Sequence, residues 1–188
     1  DGNEAYIRGG GLLLDAESTA MGQRVTFAHN VAHEPDDLPR GLMGGASGRG
    51  AGGGWHLEDG ALRADFINSA WYGNQALGVN DDGGGAMNVN DGALTLLNCT
   101  IVSNTAASAL TFAGFTSVNT GGGGINVYSG TVTLTNTLAA GNVSDAGWPD
   151  VAGAFTSGGH NLIGDATGAT GFTNGISGDI VGDSSAPV

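Results

Sequence analysis

The stretches GGGAMNVNDGALTLLNCTIVSNTA at Gly83–Ala106 and GGGGINVYSGTVTLTNTLAAGNV at Gly121–Val143 are two copies of one unit. Each copy begins with a glycine cluster, which is followed by an Asn-Val pair and then by a turn glycine. The segment after this glycine carries an asparagine close to the end of the copy. Looser copies of the unit occupy Gly9–Ala32 and Gly52–Ala76. A single repeat of this length cannot bury its apolar face, and it does so only by stacking on its neighbours. The pattern therefore predicts a solenoid.

Each unit also carries asparagines at fixed positions, six residues apart in three of the four copies. Asparagine tolerates the left-handed turn conformation and bonds to nearby backbone groups, and neighbouring rungs of a solenoid lie about 4.8 Å apart. We therefore predict stacked, hydrogen-bonded asparagine ladders. In the first copy Arg24 replaces the leading asparagine. The predicted ladder residues are Asn30, Asn74, Asn104 and Asn142, together with Asn68, Asn98 and Asn136.

Short strands explain the segments between these asparagines better than helices do. Leu94–Leu97 and Val132–Thr135 alternate with period two and lack a 3.6-residue period. Asp-Gly or Ser-Gly pairs at Gly60, Gly92 and Gly130 supply turn signals. The predicted fold is all-β: a right-handed single-stranded parallel β-helix (β-solenoid) of about four to five coils, forming one domain over residues 1–188. Long inserted loops are expected at Ala32–Gly50 and Ala106–Thr120.

In such a fold the inward side chains of successive coils stack into one core. Aligning the copies on their turn glycines predicts two stacks, Leu57–Val89–Val127 and Leu62–Leu94–Val132. The glycine clusters are expected at a bend where Cβ atoms would collide. The single cysteine, Cys99, lies in an apolar segment and is expected to be a buried thiol.

Composition excludes several classes of protein. The chain has 37 glycines among 188 residues without the three-residue period of collagen. Its formal net charge is −13 with no lysine, which argues against nucleic acid as a partner because phosphate contacts need clustered cations. No apolar run approaches the roughly 18 residues that a membrane-spanning helix needs.

The repeats resemble those of pectate-lyase-like and polymorphic-outer-membrane-protein-like bacterial surface proteins, which form right-handed parallel β-helices. The last part of the chain, Asn136–Val188, is similar to the end of the helix in bacterial exoproteins with a choice-of-anchor Q domain. The residues that carry this resemblance are Asn136–Asn142, Pro149–Val151, Ser157–Asp165 and Ser185–Pro187. It implies secretion and display at a cell surface, and it implies no reaction. Sequences of that family usually continue past the Ala-Pro pair, so we expect a fragment or processed part of a longer exoprotein.

Some parallel β-helices cleave polysaccharides, and such chemistry needs carboxylates with an arginine or lysine, or two carboxylates, in one place. Arg63 beside Asp65 is the best available pair for a lyase, and Asp81-Asp82 is a carboxylate doublet suited to a hydrolase. No recognisable lyase or hydrolase signature accompanies them, and the favoured interpretation is an exposed strand of mixed charge at Arg63 and Asp65 and acidic residues that solvate a turn at Asp81 and Asp82. Asp81, Asp82 and Asp91, with Asn80 nearby, could bind Ca²⁺ weakly; no other cofactor is predicted.

Histidines and tryptophans leave further alternatives open. The histidines at positions 29, 33, 56 and 160 are scattered. The run from His33 to Asp37 contains metal-binding residue types, but no second set of ligands is recognisable, so a solvated loop is the favoured interpretation. Trp55, Trp71 and Trp148 could stack on sugar rings. Trp71 takes the place of Ile101 in the repeat, however, which favours packing in the core or a groove.

We expect a non-catalytic structural or adhesive module, located outside the cell or at its surface. No capping helix is evident at Asp1–Gly9 or Asp179–Val188, so unpaired strand edges are expected to pair with another copy or with neighbouring coils. Such pairing from end to end would build a surface fibre. Surface carbohydrate is a further candidate partner. The alternative is a carbohydrate-active β-helix enzyme. An ice-binding surface is disfavoured, because only Thr131, Thr133 and Thr135 approach the regular array it needs.

Overall fold

A computed structural model describes residues 1–6, 9–33, 52–58, 60–78, 83–107, 111–112, 115–116 and 121–188. This part of the chain contains short strands and no helix. The strands are β1 (Glu4–Tyr6), β2 (Leu12–Leu14), β3 (Thr19–Gln23), β4 (Thr26–Ala28), β5 (Val31–His33), β6 (Trp55–Leu57), β7 (Arg63–Ile67), β8 (Ala70–Tyr72), β9 (Gln75–Leu77), β10 (Met87–Val89), β11 (Ala93–Leu97), β12 (Thr100–Val102), β13 (Thr105–Ala107), β14 (Thr111–Phe112), β15 (Phe115–Thr116), β16 (Ile125–Val127), β17 (Thr131–Thr135), β18 (Leu138–Ala140), β19 (Val143–Ser144), β20 (Val151–Ser157), β21 (Leu162–Ile163), β22 (Ala169–Thr170) and β23 (Ile180–Val181).

Most of these strands belong to three parallel sheets that run along the whole stack. One sheet has the order β1-β5-β9-β13-β19, and another has the order β4-β8-β12-β18-β21-β23. The third has two arms, β2-β6-β10-β16 and β3-β7-β11-β17, which are joined by the long strand β20. Each of the four coils β2–β5, β6–β9, β10–β13 and β16–β19 thus adds one strand to every sheet or arm, and the chain is a parallel β-helix, as predicted. Its right-handed winding stays a prediction.

The register confirms one of the two predicted core stacks. Leu57, Val89 and Val127 occupy equivalent positions in β6, β10 and β16, and all three are buried. The same alignment confirms that Trp71 takes the place of Ile101. Since both side chains are fully buried, the indole replaces a smaller core side chain in that coil.

The other predicted stack is wrong at Leu62. The residue aligned with Leu94 and Val132 is Ala64, which is buried, whereas Leu62 is 58% exposed. The turn before β7 is longer than the turn before β11, so aligning on turn glycines misplaces the strand by two residues. Side chains alternate between the two faces of a strand, so a shift of two residues keeps the inward phase of the alternation. The residue at the core position is therefore Ala64 and not Leu62.

The core of the second coil is rich in aromatic rings. Phe66 meets Phe27, Trp55 and Trp71 edge to face, with ring centroids 5.9, 5.6 and 5.1 Å apart. Phe27 stacks on Trp71 at 5.4 Å. Such contacts add about 0.5–1.5 kcal/mol each beyond burial. Ala64, beside Phe66 in β7, leaves room for these rings.

The glycine clusters lie at a corner where coils approach closely, as predicted. A Cβ atom placed on Gly53 would collide with the backbone oxygen of Gly85, and one on Gly85 would collide with that of Gly123. The next glycine of the second copy, Gly54, faces the amide of Asn74, and Gly124 faces that of Asn142. Glycines and asparagines that are distant in sequence therefore build a single corner.

The two ends of the stack differ. Among the described residues, strands β2, β3 and β4 each have a pairing partner on one side only, and the inward residues Leu12, Ala20 and Phe27 are only partly buried. At the C-terminal end, β22 pairs with β20 and β23 with β21. There Phe172 packs on Phe155, with ring centroids 5.3 Å apart, and Ala166 also packs against the core. This end is therefore covered by an irregular segment.

The predicted long loops fall largely outside the described residues. In the first of these loops, predicted at Ala32–Gly50, the described residues Ala32 and His33 belong to β5. Within the second, β13 extends to Ala107, and β14 pairs with β15 as a short antiparallel hairpin.

Candidate functional site

A ladder of asparagines, which we call the inner ladder, runs along the glycine corner and is buried at every member except the exposed Asn3 at its N-terminal end. It comprises Asn3, Asn30, Asn74, Asn104 and Asn142. In each step the backbone N–H and the side-chain Nδ2 of one asparagine both donate to the Oδ1 of the next, at 2.9–3.1 Å. The Nδ2 of Asn104 also donates to the carbonyl of Trp71 at 3.1 Å. The predicted ladder is confirmed, and it extends one residue further toward the N-terminus.

The inner ladder ends on a carboxylate. Asp150 Oδ1 accepts the backbone N–H of Asn142 at 2.9 Å and its Nδ2 at 2.8 Å, while Oδ2 accepts the N–H of Asp165 at 2.8 Å. Burial raises the pKa of Asp150, and the bonds from Asn142 and Asp165 act against that rise. A carboxylate suits this position because it accepts hydrogen bonds and donates none.

A second, outer ladder joins the leading asparagines Asn68, Asn98 and Asn136. Asn136 Nδ2 donates to Asn98 Oδ1 at 2.8 Å, and Asn98 Nδ2 donates to Asn68 Oδ1 at 3.1 Å. All three are exposed and have φ between 47° and 55°. Arg24 has φ 56°, so it adopts the same left-handed conformation in the first coil. This ladder also confirms the prediction, and its amides donate in the opposite direction to those of the inner ladder.

A mixed polar row follows the corner between β17 and β18, and sequence inspection missed it. In this row the backbone N–H of Cys99 donates to Thr137 Oγ1 at 3.4 Å, and that of Thr137 donates to Asn161 Oδ1 at 3.0 Å. Asn161 donates in turn to Asp179 Oδ1 from its backbone N–H at 2.8 Å. Burial raises the pKa of the Cys99 thiol, which is buried as predicted. This row, like the inner ladder, ends on a buried aspartate.

Two of the candidate catalytic residues lie side by side. Arg63 Nε contacts Asp65 Oδ2 at 2.5 Å, with the arginine largely exposed on the outer face of β7. The hydrogen bond and charge of Asp65 raise the pKa of Arg63. The other two candidates, Asp81 and Asp82, lie outside the described residues, so the enzyme alternative, which would need all four side chains in one groove, stays a hypothesis.

The proposed Ca²⁺ site is likewise only partly described. Asp91 is exposed and accepts a long hydrogen bond of 3.4 Å from the N–H of Gly60. Asn80, Asp81 and Asp82 are outside the described residues. Over the part of the chain that is described, no three His, Cys, Asp or Glu side chains gather as metal ligands. His33 contacts Glu4 at 2.7 Å.

The described residues also form an open groove at the C-terminal coils. It has a volume of about 480 Å³ and is lined by Asn126, Val127, Tyr128, Trp148, Ala152, Gly153 and Gly168. Tyr128 is 74% exposed and Trp148 is half-buried, whereas Trp55 and Trp71 are fully buried. Of the three tryptophans considered for sugar stacking, the geometry thus leaves Trp148.

A shortened connection in β20 creates this groove. Asn126 pairs with Ala152, and Val132 pairs with Phe155. The two paired positions are six residues apart in one coil and only three residues apart in the next. The turn that carries Tyr128 therefore projects beyond the coil below it. On the other side Trp148 rests on Gly168, where a Cβ atom would lie 2.5 Å from the indole ring.

Sequence reasoning named Trp148 but missed Asn3, Asp150 and the role of Tyr128 in the groove, for identifiable reasons. Asn3 precedes the first glycine cluster and so lies outside the repeats. Asp150 supplies the acceptor oxygen that an asparagine supplies in the other coils, so a search for repeated asparagines does not find it. A faint signal for Asp150 existed, because Pro149–Val151 follows a glycine-containing segment where a fifth copy would begin. The groove gave no signal, since it depends on the length of a connection between coils.

Over the described residues the chain has no helix long and apolar enough to cross a membrane. Comparisons with protein-family models, with curated proteins and with solved structures gave no match. The parallel β-helix is therefore established by sheet order, register and ladders of this chain itself.

Proposed function

We propose that the chain is a non-catalytic structural or adhesive section of an extracellular or cell-surface β-helix protein. We further propose that its N-terminal coil associates with a β-helix coil of a second copy. The single observation that carries the proposal is the contrast between the open edge at β2–β4 and the covered C-terminal end.

The open edge has the features of an association surface. Over the part of the chain that the structure describes, strands β2, β3 and β4 have one edge without a strand partner, and such an edge is a template for pairing with another strand. Inward residues Leu12, Ala20 and Phe27 remain partly exposed there, so a further coil would bury apolar surface. Asn3 is exposed at this end of the inner ladder.

The covered end limits the form of such an assembly. A growing fibre needs a contact that leaves an equivalent edge free for the next copy. Because segment 164–188 covers the C-terminal core, association through two N-terminal edges gives a closed dimer, which we favour over a fibre.

Extracellular display is supported by sequence features alone. The resemblance of Asn136–Val188 to choice-of-anchor Q exoproteins, and of the repeats to β-helix surface proteins, favours a secreted module. The absence of lysine and the low content of charged residues, 12%, are compatible with a protease-resistant surface protein.

The experiment is light scattering of the purified chain across a wide concentration range. We expect a concentration-dependent dimer, and Leu12→Lys should weaken it by about tenfold or more, since an unpaired ammonium group would be desolvated at the edge. Ile180→Lys is the matched control, because Ile180 is 51% exposed at the covered end and should leave the dimer unchanged.

Three outcomes would contradict the proposal. These are a strict monomer at every concentration, equal effects of the two variants, and cleavage of polysaccharide by the wild-type chain. Loss of such cleavage in Arg63→Ala would instead support the alternative, a carbohydrate-active enzyme that uses Arg63, Asp65, Asp81 and Asp82.

A further inference from the structure

The groove between Tyr128 and Trp148 has the composition of a small-ligand site. Its volume of about 480 Å³ falls within the range of roughly 300–1,000 Å³ that is usual for such sites. Small residues, Ala152 and Gly153, leave the space between the two aromatic side chains open. A ligand in this groove would therefore lie against one coil and between two rings.

Polar atoms in the groove remain available to a ligand. Asn126 is 6% exposed, and its Nδ2 donates to Asn88 at 2.7 Å. Within the described part of the chain, its Oδ1 accepts no hydrogen bond, and neither the Tyr128 hydroxyl nor the Trp148 indole N–H has a partner. An acceptor, an N–H donor and a hydroxyl thus border an otherwise apolar surface.

The charge of the groove narrows the class of ligand. None of the seven lining residues is ionisable as a cation or a carboxylate, and the chain as a whole carries a formal charge of −13. An anionic ligand would meet no counter-charge and a repulsive field. The combination of aromatic faces and hydrogen-bonding groups instead suits a neutral ligand with both apolar faces and hydroxyls.

We propose that this groove binds a short neutral saccharide, with Trp148 and Tyr128 contacting the sugar rings and Asn126 accepting a hydroxyl hydrogen. The same features disfavour an acidic sugar such as a uronate. The site needs no second copy of the chain and lies among the last coils, away from the edge at β2–β4. Its test is therefore independent of the association test.

Gly168 provides a way to test the geometry without removing a ring. Because a Cβ atom at this position would lie 2.5 Å from the indole, Gly168→Ala should displace Trp148 from its place beside the groove. Its φ of 90° makes the substitution strained as well, so the fold must be monitored in parallel.

The test is calorimetric titration of the full chain with cellotetraose, mannotetraose, xylotetraose and chitotetraose, and with tetragalacturonate as the acidic comparison. We expect saturable binding of at least one neutral tetrasaccharide. Trp148→Ala and Tyr128→Ala should each weaken it by about tenfold or more, as aromatic anchors of a binding site do. Tyr72→Ala is the matched control, since Tyr72 is 40% exposed on β8, outside the groove. Circular dichroism of every variant verifies the fold.

The proposal is overturned if none of the four neutral saccharides binds, or if tetragalacturonate binds as tightly. It is also overturned if the groove variants and Tyr72→Ala have equal affinity while all remain folded. Because Trp148 is the one tryptophan of the three that is not fully buried, a ligand-dependent change in tryptophan emission should accompany binding and be absent in Trp148→Phe. An unchanged emission on saturation would likewise contradict the site.

Discussion

Asp150 Oδ1 accepts two hydrogen bonds from Asn142, one from the backbone N–H at 2.9 Å and one from Nδ2 at 2.8 Å. Every earlier step of the inner ladder has the same pair of donors, so Asp150 replaces the Oδ1 of a further asparagine. Its second oxygen accepts the N–H of Asp165 at 2.8 Å. The last asparagine of the ladder, Asn142, therefore has an acceptor for both its backbone N–H and its Nδ2.

Replacing this carboxylate should expose its role. Asp150→Asn keeps one acceptor oxygen but introduces an NH₂ group, which must face the N–H of Asn142 or of Asp165. A buried donor without an acceptor costs about 1–3 kcal/mol, so the free energy of unfolding at pH 7 should fall by that amount. Urea denaturation measures it. Asp91→Asn, at an exposed carboxylate, is the control; equal stability of both variants would contradict the role of Asp150.

Asp150 should also give the stability of the protein a distinctive pH dependence. Its folded-state pKa is raised, chiefly by burial, so between the unfolded value, about 3.9, and the folded value the native chain holds a proton that the unfolded chain has lost. The free energy of unfolding contributed by this group therefore falls as pH rises through that window, and levels above it. Comparing wild type with Asp150→Asn by denaturation from pH 3.5 to 7 isolates the contribution. A wild-type advantage that grows with pH would contradict the assigned direction.

The middle of the inner ladder should be sensitive to loss of an amide. Asn104→Ala removes the acceptor of two hydrogen bonds from Asn74. It also removes the Nδ2 donor to the Trp71 carbonyl and leaves Asn142 Oδ1 with one donor, the backbone N–H of residue 104, in place of two. With several buried groups unpaired, we expect a loss of about 3 kcal/mol or more. In the exposed outer ladder, Asn98→Gly retains the positive φ of 55° and should cost about 1 kcal/mol or less. Comparable losses of unfolding free energy in the two variants would contradict the larger contribution that we assign to the buried inner ladder.

Glycine at the corner should be irreplaceable where coils touch. A Cβ atom on Gly85 would collide with the backbone oxygen of Gly123 and with the backbone of Thr105. Gly85→Ala should therefore separate adjacent coils and lower stability by about 3 kcal/mol or more, as severe overpacking does. Gly141→Ser is the control, because nothing lies within 4 Å of that position and Ser103 has the equivalent conformation, with φ 56°. Thermal unfolding compares them, and a mild effect at Gly85 would show that the coils can separate freely.

Sequence reasoning was most reliable where every coil obeys the same rule. The ladders at Asn74, Asn104 and Asn142 and the core stack from Leu57 follow from repetition, because an in-register stack places equivalent residues one above another. It failed at Leu62, where a longer turn breaks the common spacing between glycine and strand. The groove depends on Tyr128 projecting past a shortened coil, which is a difference between neighbours and leaves no periodic signal.

The inner ladder also makes its intermediate coils interchangeable. Asn74 and Asn104 each receive two donors from one neighbour and give two to the other, so a unit inserted or removed between them leaves the chain of bonds intact. Asp150 cannot be moved in this way, since it can only accept. The hydrogen bonds of the inner ladder therefore set no limit on the number of intermediate coils, whereas they fix Asp150 at the last step.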